Sequence, residues 1–260
     1  MSDPLIRYEL EGDVALIGLN RAEKRNAISE ALLDDFEVAI ARASSEAGAA
    51  VVYGVGPNFC SGLDLGEHVH KSPAEGLKVS RRWHAVFDGM QRGAIPFIAA
   101  MTGAVVGGGL EMAAATHVRV ADTTAYFALP EGQRGIFIGG GGSVRITRLA
   151  TVARVMDMML TGRVLTAEEA ERANLAQYVV PAGAALEKAK SLAAAAASNA
   201  PLSNFAIIHA LPRIQDMGQD DGLFVESLVA SLTQTSPEAA ERLRSFLEKR
   251  SAKISAPNRP

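Results

Sequence analysis

Short β-branched apolar runs alternate with helical segments along the first two thirds of this chain, and then the strands stop. The runs at 14–20 (VALIGLN), 49–55 (AAVVYGV), 95–101 (IPFIAAM), 117–122 (HVRVAD) and 125–129 (AYFAL) read as strands. Strands separated by helical stretches build crossover units, so the pattern predicts an α/β core. The helix after Ser29 has Ser29 as its N-cap, Leu32, Leu33, Phe36 and Ile40 on one apolar face, and Gly48 as its stop. Further on, LTAEEAERANLAQYVVP reads as a short helix capped by Thr166 with Glu169 three residues later. Asn174 closes that helix, and a strand ended by Pro181 follows. Beyond Pro181 the chain is Ala-rich and then amphipathic helix, broken by Pro201 and Pro212. The predicted domains are therefore 1–192, the α/β core, and 193–260, a helical region.

Composition removes several function classes. At 260 residues and 48% hydrophobic, the chain is long enough to bury one large core. Its net charge is −3 with acids and bases interleaved, so no basic face for nucleic acid is expected. The only cysteine, Cys60, excludes an intrachain disulfide framework and fits a reducing compartment. The N-terminal segment is too polar for a signal peptide, and the longest apolar runs fall short of a membrane span. A cytoplasmic protein without membrane contact is the expectation.

Three glycine clusters, GVGPNF, GAVVGGG and GGGGSVR, invite a phosphate-loop reading. None ends in Gly-Lys-Ser/Thr, and none completes the dinucleotide fingerprint. Glycine also lets backbone N–H groups approach a ligand oxygen closely, and a helix starting at that point adds its positive end. Two stretches fit such an oxyanion site: NFCSGLDL (58–65), a turn leading to a helix capped by Asp64, and VGGGLEMA (106–113). On residue type alone, Glu111 complements a helix dipole, Glu131 is a solvated turn residue after a proline, and Trp83, Phe87 and Met90 are a core stripe. His84 reads as structural, and His68 and His70 lack the further ligands of a metal site.

Together with NRAEKRNAIS, YFALPEGQRGIFIGGGGSVRITR, LTGRVLTAEEAERANLAQYVVP and the terminal FLEKR, these segments resemble the crotonase superfamily of enoyl-CoA hydratases and isomerases, in that family's order along nearly the whole chain. The resemblance implies a superhelix of ββα units with a C-terminal helical trimerisation region, assembling as homotrimers or homohexamers. It implies an acyl-CoA thioester as ligand, with coenzyme A carried by the substrate and no separate cofactor or metal. The matching positions place the thioester carbonyl on the backbone amides of Leu63 and Gly108. Glu111 then holds and orients a water while Glu131 exchanges a proton with the α-carbon, one acid ionised and the other protonated. Retention of both acids points to reversible hydration of a 2-enoyl-CoA to a 3-hydroxyacyl-CoA. The alternatives are a double-bond isomerase, an aromatic enoyl-CoA hydratase-lyase, or a non-catalytic acyl-CoA binder.

The same resemblance assigns substrate contacts to Lys24, Arg25, Ala27, Ser61, Gly62, Asp64, Leu65 and Gly107, acyl-chamber walls to Trp83 and Phe87, and a coenzyme A phosphate contact to Lys249. The chain departs from the family after Glu131, with Ile138 and Val144 where Pro and Gln are frequent. Arg134 stands where an aliphatic residue is common, and it reads as a surface or salt-bridging residue in preference to a reader of the acyl group. The glycine-rich loop between aromatic walls predicts room for a bulky or ring-bearing enoyl group.

Overall fold

The computed structural model of the chain describes residues 3–67 and 72–248. In order the elements are β1 (Ile6–Glu11), β2 (Val14–Leu19), α1 (Glu30–Glu46), β3 (Ala49–Gly54), α2 (Pro73–Gln91), β4 (Phe97–Met101), β5 (Ala104–Val106) and α3 (Gly108–Ala113). There follow β6 (Val118–Asp122), β7 (Tyr126–Ala128), α4 (Gly142–Ala150), α5 (Val152–Thr161), β8 (Leu165–Thr166), α6 (Ala167–Arg172), β9 (Tyr178–Val180) and α7 (Ala185–Ala197). The last three are α8 (Pro201–Ile214), α9 (Gln219–Gln234) and α10 (Pro237–Leu247). The α/β class expected from the alternation is what the chain adopts. Two compact units divide it, one ending at Ser198 and the other beginning at Asn199.

The first unit is built on a six-stranded sheet in the order β1-β2-β3-β4-β6-β9, parallel except for the β1–β2 hairpin. β2 is buried along its whole length because both faces of the sheet are covered. On one face Val14, Leu16, Val51, Ile98 and Val120 meet Ala185, Ala189 and Ala193 of α7, whose small side chains let the helix sit close. On the other, Ile17, Leu19 and Val52 pack with Leu32, Leu33 and Phe36 of α1. α7 runs unbroken through residue 192, so the unit continues past the domain boundary placed there and ends at Ser198.

Several local readings hold. Ser29 accepts from Leu32 N, and Thr166 and Glu169 form a reciprocal capping box. Asn174 adopts the left-handed conformation (φ 59°) just after α6. Other readings are corrected. β1 lies in the segment read only as polar, because an edge strand with one solvated face carries few apolar residues: Ile6 is buried while Glu9, Leu10 and Glu11 are exposed. Gly48 follows the Ala47 C-cap and so stands as the stop read for α1, though its backbone is not left-handed. It is required because Asp13 folds over it, accepting from Gly48 N through Oδ1 at 2.7 Å, where a Cβ would collide with that carboxylate.

A second, three-stranded sheet, β5-β7-β8, pairs β7, from the run read as a strand at 125–129, with β5 and β8, which are too short to stand out in the sequence. In the second unit Pro201 opens α8, but Pro212 lies inside that helix and does not break it. Among the described residues no helix is long and apolar enough to cross a membrane.

Candidate active site

The site grows from two chain reversals that the rest of the fold pins together. Asn26, fully buried and left-handed (φ 56°), accepts from Arg21 N at 2.8 Å and donates from Nδ2 to the carbonyls of Val55 and Asn58 at 3.1 and 2.7 Å. This ties the 21–27 turn to the segment after β3. Next, Ile28 N donates to Gly62 O and Asp64 N donates to Ile28 O, a single parallel bridge between Ile28 and Leu63. Parallel pairing turns alternate peptide groups to opposite sides, so the Leu63 N–H faces away from Ile28. Cys60 N donates to Ala104 O and Val106 N to Cys60 O, which lays the same turn along β5.

β5 then enters the glycine run. Gly107 N donates to Ala128 O on β7, so the following N–H, that of Gly108, points elsewhere. Gly107 has φ 52°, and a Cβ there would stand 2.6 Å from Glu131 Oε1. A Cβ on Gly108 would lie 2.5 Å from the Trp83 ring and 3.5 Å from Leu63 N. The Leu63 and Gly108 amides are thus neighbours on the wall of one cavity, and among the described residues no protein acceptor takes either N–H. A helix-starting amide and a turn amide left free side by side are what an anionic oxygen requires.

The cavity, about 190 Å³, also holds both candidate acids. Glu111 is 3% exposed, and its Oε1 accepts from Gly140 N and Gly142 N, each at 2.8 Å. The carboxylate in the first turn of α3 is therefore seized by the 139–142 loop and does not serve as a solvated dipole partner. Burial raises its pKa, opposed by those two amides and by the charge of Arg145. Glu131 is 7% exposed, and its Oε2 has no hydrogen-bond partner among the described residues. Burial pushes this carboxyl up to about 7, and the charge of Glu111 adds to the effect. Burial thus raises both acids, and the charge of Glu111 raises Glu131 further, so the two titrate as a coupled pair in which Glu131 holds a proton toward neutrality.

Residues that sequence reasoning passed over hold the loop. Arg145, buried, donates to Gly140 O at 2.9 Å, to Gln91 Oε1 at 2.6 Å and to Asp88 Oδ1 at 2.6 Å. Ser80 Oγ donates to Gly139 O at 2.6 Å. Only the glycine run 139–142, which ends three residues before Arg145, hinted at such an anchor.

Of the expected contacts, Ser61, Gly62, Leu63, Leu65, Trp83, Gly107, Gly108, Glu111 and Glu131 line the cavity. Lys24, Arg25, Ala27, Asp64 and Phe87 do not. Lys24 and Arg25 adjoin it through the chain, since Ser61 N donates to Arg25 O and Ser61 Oγ to Lys24 O. Ala27 O accepts from Arg21, whose guanidinium also grips Asp64 at 2.6 Å and holds that carboxyl below its usual range. Asp64 opens the 3₁₀ turn Leu65–Glu67, its Oδ1 accepting from Gly66 N at 3.1 Å, and the residues that follow next lie outside the described ones. Phe87 is fully buried behind Trp83, edge to face at 5.5 Å, so it supports the wall without forming it; Met90 is likewise core. Trp83 itself is 6% exposed and offers little open face for stacking.

Cys60 is the buried apolar residue expected, its thiol pushed up to about 12 by burial and donating to Asn26 O. His84 lies outside the cavity lining, within 3.4 Å of Ser80 Oγ. His68, His70 and Lys249 lie outside the described residues. Arg134 is exposed as expected, but it lines the cavity and makes no ion pair among the described residues, contrary to the salt-bridging role read for it. Ile136 and Phe137, exposed at the mouth, and the buried Ile138 complete that wall.

The family model described as enoyl-CoA hydratase/isomerase matches residues 9–256. An enoyl-CoA hydratase of Mycobacterium tuberculosis is 31% identical over 254 residues, 96% of this chain and 96% of its own length. A short-chain-enoyl-CoA hydratase of Clostridium acetobutylicum is 30% identical over 245 residues, covering 93% and 94% of the two chains. A crystal structure from Rhodopseudomonas palustris superposes with a TM-score of 0.93 at 47% identity, covering 98% of this chain and 99% of that one.

Proposed function

The chain belongs to the enoyl-CoA hydratase/isomerase family of the crotonase superfamily, and from that premise we propose that it adds water reversibly to a 2-enoyl-CoA to give a 3-hydroxyacyl-CoA. The observation that carries this reading is the convergence of two buried, mutually sensitive carboxyls and two free neighbouring amides on one cavity. The thioester oxygen accepts from Leu63 N and Gly108 N, which stabilise the enolate charge as it forms. A water held at the acid pair loses a proton to ionised Glu111 as its oxygen bonds to the β-carbon. Protonated Glu131 delivers its proton to the α-carbon. The pair begins and ends with one proton, moved from Glu131 to Glu111, and the reverse sequence eliminates water. Coenzyme A is part of the substrate, with Lys24 and Arg25 beside Ser61 available to its charged moiety.

Loss of the conjugated-thioester absorbance of crotonyl-CoA tests the reaction directly. The proton count also sets its pH dependence. The active form carries one proton on the pair, so kcat/KM falls above about pH 7, where Glu131 loses it, and falls again in acid, where Glu111 also becomes protonated. Hydration and dehydration follow one profile, because water addition consumes no net proton. Full activity unchanged up to pH 9 would remove Glu131 from the proton-transfer step, and conversion of crotonyl-CoA's β,γ-isomer without hydration would make the chain an isomerase.

We further propose assembly as a homotrimer or homohexamer. The second unit leaves Phe205, Leu211, Phe224, Leu228, Leu232, Leu243, Phe246 and Leu247 exposed within the single chain, more apolar surface than an isolated subunit keeps in water. Light scattering at micromolar concentration is expected to give three or six times the chain mass. A monomer contradicts the assembly.

A further inference from the structure

Arg134 ends the 3₁₀ turn Gly132–Arg134 that starts immediately after Glu131, and its N–H donates to Glu131 O at 3.0 Å. Among the described residues it is the one cationic side chain on the cavity lining, and no carboxylate or carbonyl receives its guanidinium. The wall around it is apolar, formed by Leu65, Val79, Ile136, Phe137 and Ile138. The charge of Arg134 is felt by Glu131, but neither acid of the cavity forms an ion pair with the guanidinium, and Glu111 is engaged by the 139–142 loop. A planar guanidinium left unpaired beside an apolar wall is matched by a carboxylate, which it binds in a bidentate, charge-assisted pair.

Resting on the hydratase reading, we propose that Arg134 is a specificity-determining residue for 2-enoyl-CoA substrates whose acyl chain ends in a carboxylate. An anion could also reach Arg134 from the phosphates of coenzyme A, and position separates the two sources. The Lys24–Ala27 turn, a second cationic segment beside the cavity, is bonded to Ser61 on the Leu63 wall. Arg134 stands with Ile136 and Ile138 on the Glu131 side of the cavity, and in this proposal the acyl chain runs along that side. Ile136 and Ile138 contact the methylene chain, and Arg134 holds its charged end.

The test compares two trans-2-enoyl-CoA substrates of six acyl carbons, one ending in a methyl group and one in a carboxylate, on the wild type, Arg134→Leu and Arg134→Lys. The wild type favours the carboxylated substrate in kcat/KM by tenfold or more. Arg134→Leu lowers that ratio at least tenfold, chiefly through KM of the carboxylated substrate, and Arg134→Lys, which keeps the charge without the planar fork, retains part of it. Any influence of Arg134 on Glu131 acts on both substrates and cancels in the ratio. A wild type without preference, or an Arg134→Leu loss shared equally by both substrates, overturns the proposal; the second result assigns Arg134 to the coenzyme A phosphates. Failure of both substrates to react overturns the hydratase reading instead. Calorimetric binding of the saturated pair, adipyl-CoA and hexanoyl-CoA, to wild type and Arg134→Leu then decides the recognition separately, equal affinities in the wild type ruling it out.

Discussion

Glu111→Gln and Glu131→Gln each lower kcat for hydration by about 10²- to 10⁴-fold, the range for losing a positioned general acid or base, while KM for the acyl-CoA changes little. The carboxylates act on water and on a proton, and the coenzyme A handle does not touch them. Glu111→Gln separates chemistry from architecture. Its amide oxygen still accepts from Gly140 N and Gly142 N, so the loop keeps its place and the rate loss is chemical. Glu131→Gln carries a second, thermal signature. A carboxyl raised from 4.5 to about 7 by burial binds more protons folded than unfolded between those values, so its contribution to stability is lost as pH rises through about 7. The amide lacks this penalty, and the Tm of Glu131→Gln relative to wild type rises between pH 5 and pH 8. Near-normal turnover in either folded variant removes that residue from the mechanism.

Gly108→Ala is expected to reduce kcat by about 10²- to 10³-fold, comparable to deleting one oxyanion donor. The added methyl would stand 2.5 Å from the Trp83 ring and 3.5 Å from Leu63 N, so relief of the clash must displace one of the two amides or the ring. Because the ring is hemmed in by Phe87, the backbone yields. A double variant, Gly108→Ala with Trp83→Leu, makes room for the methyl and recovers part of the rate. Circular dichroism and Tm on the same samples separate this from unfolding. Wild-type turnover in folded Gly108→Ala would show that the Gly108 amide carries no developing charge.

Local physics was legible in the sequence wherever neighbours along the chain settle the outcome. The hydrophobic period of α1, the Ser29 cap, the Thr166–Glu169 capping box and the left-handed Asn174 each depend on residues within about four positions of one another. The two glycine segments and the two glutamates were also visible, as residue types in an order that a family shares. β1 was not, since an edge strand needs only one apolar face. β5 and β8 were not, since strands of three and two residues carry too short a period to read.

By itself, then, the sequence determined an α/β core followed by helices, and a list of groups able to take part in acyl-CoA chemistry. Only the tertiary structure decided which way those groups point and how much water they keep. Pairing of Leu63 with Ile28 and of Gly107 with β7 leaves two N–H groups free on a common wall, and that direction is set by strands far apart in the chain. Closure of the 139–142 loop, anchored by Arg145 on Asp88 and Gln91, buries Glu111, and packing around Glu131 leaves its Oε2 unpartnered. Long-range packing likewise turned Phe87 into the core and stood Arg134 on the cavity wall, without an ion pair among the described residues. Hydrogen-bond direction and desolvation arise from contacts between distant segments, which the local periodicity of a sequence does not encode.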